Sequence, residues 1–162
     1  MTFGDSFCFH EPALGITSFP DLRRLFESTG RHVVGSSDCG NAWIADGLVR
    51  EFQDCRFVVV RRPLDEVQRS WLEMGLPDNG TLEKSAIMLD YVVRNYSPFS
   101  LDADDLSDPE VVKMLCEYVG APFDRARFDL LAALNVQVNT DYLTGRMTAE
   151  NVAAMSTLME AV

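Results

Sequence analysis

The chain has no apolar run approaching the roughly 20 residues that span a bilayer. Its first twelve residues, MTFGDSFCFHEP, lack the basic segment and apolar stretch of a secretory signal. A cytoplasmic location and no membrane partner are expected. Histidine is scarce, with only 2 in the chain, and the 4 cysteines (Cys8, Cys39, Cys55, Cys116) are far apart with no C-x-x-C pair. That spacing offers no metal-ligand set, so no metal is expected and the thiols are read as buried and reduced. Bases are also few. Against 25 acids stand 14 bases, for a net charge of −11, and such a surface repels a phosphodiester backbone, so no nucleic-acid partner is expected.

What is present fits one domain over residues 1–162, with 47% hydrophobic residues and room for a sizeable core. The bases are skewed in kind, since all but Lys84 and Lys113 are arginines. Arginine offers a planar fork matched to phosphate or carboxylate, so a few arginines gathered in one cleft suit a small anion despite the acidic exterior.

Hydrophobic patterning orders the elements. Phe7–His10 reads as a short strand before the Glu11-Pro12 break. Ser18 and Asp21 form a capping-box-like start to a helix with Leu22, Leu25, Phe26 and Thr29 on one face and Gly30 at its end. Arg31–Gly35 reads as a second strand, Asn41–Phe52 as a helix, and Arg56–Val60 as the clearest strand. The continuous β-branched run in that last strand predicts burial on both faces, as in a parallel sheet. Helices then dominate. One follows Pro63 with an apolar stripe of Leu64, Val67, Trp71 and Met74, and another spans Thr81–Tyr96. Phe99–Leu101 suits a short strand before the acidic loop Asp102–Asp105. Further helices are expected after Ser107 up to Gly120, over Asp124–Leu134 and near Thr148–Ala161. Strands alternating with helices argue for an α/β fold, at least partly parallel, with a helix-rich C-terminal half.

Ligands in such sheets bind beyond the carboxyl ends of the strands. Arg61-Arg62-Pro63 stands at one such end, Gly35–Gly40 at another and His10-Glu11-Pro12 at a third. Ser70, eight residues after Arg62, falls at the margin of the apolar stripe. Strand, arginine, helix start and serine together form a candidate phosphate cradle. Each part also has a plainer use. A helical serine can bond the carbonyl one turn back, and the arginines can pair with Asp65 and Glu66.

This unit resembles the 3′-phosphate-binding element of the sulfotransferases that use 3′-phosphoadenosine 5′-phosphosulfate (PAPS). Arg62, Glu66-Val67 and Ser70 keep that element's spacing, with Pro63 one position early. Phe99–Leu106, Asp108-Pro-Glu110 and Glu117–Phe123 look like the family's strand, acidic turn and Gly-x-Pro-Phe step. The opening Phe3–Glu11 looks like the second strand of short bacterial or phage-type relatives, so the resemblance covers roughly residues 3–123. It implies a three-layer, mostly parallel sheet of the P-loop nucleotide-binding type and PAPS as co-substrate, with no metal. Arg62, Ser70 and Arg61 would hold the nucleotide, and Glu11 or His10 would act as base toward a hydroxyl or amine acceptor of unknown identity. Asp38 is a further candidate base.

The sequence departs from the family at the loop that holds the 5′-phosphosulfate, a stretch like P-R-S-G-T-x-W. Gly35–Trp43 (GSSDCGNAW) keeps its glycine spacing and tryptophan, but puts Asp38 where a positive charge is wanted. The expectation is that this chain begins after the true loop and lacks the first, central strand. Two alternatives stay open: a catalytically inactive nucleotide-binding or interaction domain of the same fold, and a P-loop kinase. The kinase reading needs a lysine and a magnesium-binding hydroxyl with no clear candidate here. Acceptor choice would lie with Thr81–Tyr96 and residues 135–162, where Gly145-Arg146 is a weak substitute for the family's Arg-Lys-Gly element.

Overall fold

The computed structural model describes residues 5–10, 18–73 and 80–132, with the backbone alone for His10 and Cys39. Glu11, Met74, the expected helix near 148–161 and Gly145-Arg146 lie outside the described residues. The order is β1 (Ser6–His10), α1 (Phe19–Ser28), β2 (Val33–Ser37), a 3-10 helix (Cys39–Ile44) running into α2 (Ala45–Glu51), then β3 (Val58–Arg61) and α3 (Leu64–Glu73). There follow α4 (Thr81–Tyr96), β4 (Phe99–Asp102), a 3-10 helix (Ala103–Ser107), α5 (Pro109–Val119) and α6 (Arg125–Ala132). The fold is mixed α/β.

Local chemistry sets most boundaries. Ser18 Oγ accepts from the Asp21 N–H at 3.3 Å and caps α1, and Asp108 accepts from the Glu110 N–H at 2.9 Å and caps α5. Gly120 ends α5 at φ 79°, a left-handed conformation open to glycine at little cost.

Two parallel pairs of strands form. β1 runs beside β2 from Ser6 opposite Val33 to His10 opposite Ser37, and β3 beside β4 from Val58 opposite Phe99 to Arg61 opposite Asp102. Three helical crossovers link the four strands in turn. The first and third join hydrogen-bonded neighbours, whereas the middle one, from β2 to β3, joins strands that are not bonded to each other. What unites the two pairs is helical cover. Ala42 and Ala45, just after β2, pack with Val59 of β3 and Val92 of α4, and Phe57, Met88 and Val93 close around them. Phe26 stacks on Phe9 at 5.9 Å and meets Phe52 at 5.6 Å, tying α1 to β1 and to the end of α2.

Three expectations need correction. β3 is not buried on both faces, because Val59 lies in the helix-covered core while Val60, on the opposite face, is 42% exposed. The stripe on α3 does not sink into the core: no residue of that helix is fully buried, and Leu64 is exposed. The thiols also differ in environment, for Cys116 is buried and Cys55 half-buried, but Cys8 on β1 is exposed. All three are free thiols whose pKa is pushed up by desolvation.

Candidate functional site at the carboxyl ends of β3 and β4

β3 carries one residue more than its apolar run suggests. Arg61 is its last residue and pairs with Asp102, the last residue of β4. Pro63 then turns the chain into α3, and its carbonyl accepts from the N–H groups of Glu66 and Val67, both at 3.1 Å. The two arginines are thereby delivered to the end of a parallel strand pair and ahead of a ten-residue helix.

A cavity of about 380 Å³ opens there. Arg61, Arg62, Pro63 and Glu66 line one side, and Asp102, Ala103 and Asp104 the other. A smaller space of about 190 Å³, lined by Arg61, Ser100, Leu101, Asp102 and Asp105, adjoins Arg61 and Asp102 as well. The first 3-10 turn after β4 is fixed by a capping box, in which the Asp105 carboxylate accepts from the Asp102 N–H at 2.9 Å. That turn brings the acidic stretch read from the sequence as a loop against the arginines.

The larger cavity is therefore of mixed charge, lined by two guanidiniums and three carboxylates. Arg61 Nη2 donates to Asp90 Oδ1 of α4 at 2.6 Å, and Arg62 Nη2 meets Glu66 Oε2 at 3.5 Å. Hydrogen bonding by Arg61, reinforced by its charge, holds the Asp90 carboxyl below the usual carboxylate range. Two guanidiniums and a helix start suit one phosphate group, while Glu66 beside them and Asp102 and Asp104 across the cavity oppose a second anionic group.

The other sequence candidates are placed as follows. Ser70 is half-buried on α3, six residues past Leu64, about 9 Å along the axis, and does not line the cavity. Arg62, in the turn before α3, and Ser70, within that helix, are thus not on one wall of the cavity. His10 closes β1 opposite Ser37, and its side chain, like all of Glu11, lies outside the described residues. Gly35 belongs to β2, facing Cys8 across the pair, so the stretch Gly35–Gly40 is half strand. Asp38 then caps the following 3-10 helix, accepting from the Gly40 N–H at 2.7 Å, and its carbonyl accepts from Asn41 N–H at 3.2 Å. The Asn41 amide donates to Ser36 Oγ at 2.8 Å. The Gly40 and Asn41 amides are thus engaged within this turn, and the carboxylate at its centre is a cap.

Asp90 is a site residue that sequence reasoning missed. It sits in mid-helix among ordinary helix formers, and only the packing of α4 beside β3 brings it to Arg61. Among the described residues, no group of three or more His, Cys, Asp or Glu side chains is arranged to hold a metal, and no helix is long and apolar enough to cross a membrane. No family model, curated protein or solved structure matches the chain.

Proposed function

We propose that the chain is a sulfotransferase-like nucleotide-binding domain, whose cavity at the ends of β3 and β4 receives the 3′-phosphate of PAPS or its product. The observation that carries this reading is the Arg61-Arg62-Pro63 junction, set at the carboxyl end of a parallel strand and opening on a cavity of ligand size. The parallel pairing within each strand pair is compatible with the finer architecture, a three-layer sheet of the P-loop type, which rests on the resemblance. In the full reaction the acceptor oxygen or nitrogen attacks sulfur and the bond from sulfur to the 5′-phosphate oxygen breaks. The acceptor proton passes to a base, for which Glu11 and His10 are the candidates, and 3′,5′-adenosine bisphosphate leaves.

One observation favours a second reading, a nucleotide-binding relative that performs no transfer. The turn after β2 directs its Gly40 and Asn41 amides to Asp38, so those two donors do not serve the reacting group.

Thermal-shift titration with 3′,5′-adenosine bisphosphate tests the binding site that both readings share. Ligand at about 100 times its Kd adds about 2.7 kcal/mol, roughly 5–10 °C for a chain of this size. The shift should be lost in Arg62→Ala and retained in Arg125→Ala, which alters an exposed pair on α6. An absence of any shift in the parent chain would refute nucleotide binding here. Transfer of labelled sulfuryl from PAPS to a panel of phenols and amines then separates the active from the inactive reading.

A further inference from the structure

The two arginines of the junction are held differently. Arg62, in the turn before α3, meets Glu66 in the first turn of that helix at 3.5 Å, the outer limit of a hydrogen bond. Arg61 borders both cavities, yet its fork is engaged at 2.6 Å by Asp90, which comes from α4, 29 residues along the chain. We infer that Asp90 is a placeholder anion: it occupies Arg61 until a phosphate group, met first by Arg62, takes its place. This inference rests on the reading of the cavity as a nucleotide-phosphate site.

Three features make the exchange workable. Both partners are near half exposed, at 42% for Arg61 and 53% for Asp90, and such pairs hold by a factor of about five at most. A phosphate brings more charge and three oxygens to the same fork, so it outcompetes one carboxylate, whereas a simple monoanion does not. Arg94 stands one turn along α4, its Nε bonded to the Asp90 carbonyl at 3.2 Å and its charge already acting on that carboxylate. Asp90 therefore keeps a cationic neighbour when Arg61 leaves it. Asp90 acts here as a positioning and selectivity residue that touches no ligand.

Calorimetric titration of 3′,5′-adenosine bisphosphate into the full chain and its variants tests this. Asp90→Asn should tighten binding about two- to fivefold, the worth of the released pair. Glu66→Gln, which removes the same charge from a looser contact, should give a smaller gain. The Asp90→Asn gain should vanish in an Arg61→Ala background, because the coupling runs through that one fork. Asp90→Ser serves as a second variant should Asn fold poorly, with melts recorded for each. If the parent binds and Arg62→Ala does not, but Asp90→Asn binds equally or more weakly, the placeholder is overturned and the site stands. An equal gain with and without Arg61 also overturns it, as a general charge effect. If neither the parent nor the Asp90 variants bind, site and placeholder fall together.

Discussion

The Asp46 carboxylate accepts hydrogen bonds from two hydroxyls, that of Tyr91 at 2.9 Å and that of Tyr96, and so clamps α2 onto α4 beside the Ala42–Val92 core. The Tyr96 hydroxyl, then that of Tyr91, holds the Asp46 carboxyl below its usual range. The folded state thus binds this proton more weakly than the unfolded chain, and the stabilisation is present above about pH 4 and lost as pH falls through the lowered value. Tyr96 titrates in the opposite sense. Its hydroxyl is pushed up to about 12, first by its bond to Asp46, so its contribution holds below about pH 10 and fades as pH rises through the raised value. Melting temperatures of parent and Tyr96→Phe should therefore differ most between about pH 5 and pH 9 and converge toward both ends. Asp46→Asn should flatten the acid limb of that difference. A gap that stays constant from acid to alkali would exclude the clamp. Nothing in the sequence announces this triad, for Tyr91 and Tyr96 are five apart on a helix and Asp46 reaches them only through tertiary packing.

Between elements, close approach decides more than propensity. Gly47 sits in the middle of α2, and a Cβ there would lie 2.2 Å from Cζ and 2.6 Å from Cε2 of Phe19 at the start of α1. Alanine gains about 1 kcal/mol of helix propensity over glycine. Against it stands overpacking, or displacement of the ring into water, at about 1–3 kcal/mol. The second effect wins, so Gly47→Ala should lower the urea midpoint, and Gly47→Ala with Phe19→Leu should recover part of the loss. A stabilised single variant would mean that α1 yields freely to α2. Elements whose signals are local were legible in the sequence: the Ser18 cap, the Pro109 start and Gly120 stop of α5, and the β-branched run of β3. Boundaries governed by partners were not. The Arg61-Arg62-Pro63 run reads as the turn after the strand, but Arg61 pairs with Asp102 inside β3, and Asn41–Ile44, within a stretch that reads as helix, is wound as 3-10 after the Asp38 cap. The exposure of Val60 was hidden for the same reason, since a continuous apolar run cannot tell which of its faces other elements will cover.

At the scale of the whole molecule, the sequence located one wall of the candidate site, Arg61 and Arg62, and not the opposing one. Asp102–Asp105 was visible as an acidic stretch, but its approach to the arginines depends on the parallel pairing of β3 with β4, which no local pattern specifies. The resulting cavity holds acids and bases together on a chain of net charge −11. Two electrostatic effects then compete when salt is added. The five ion pairs among the described residues lie at the surface, and exposed pairs contribute at most about 1 kcal/mol each and often nothing measurable. Self-repulsion acts among all the charges at once and over distances longer than any pair. The Debye length falls from about 30 Å at 0.01 M to about 10 Å at 0.1 M, so modest salt removes the long-range repulsion while contacts under 4 Å are still largely felt. The melting temperature should therefore rise by a few degrees between about 0.01 M and 0.1 M sodium chloride and level off or turn down toward 1 M, where the Debye length of about 3 Å reaches the pairs themselves. A monotonic fall from the lowest salt onward would mean that the surface pairs outweigh net repulsion. The exchange of Asp90 for a phosphate at Arg61 would then be harder than its exposure suggests.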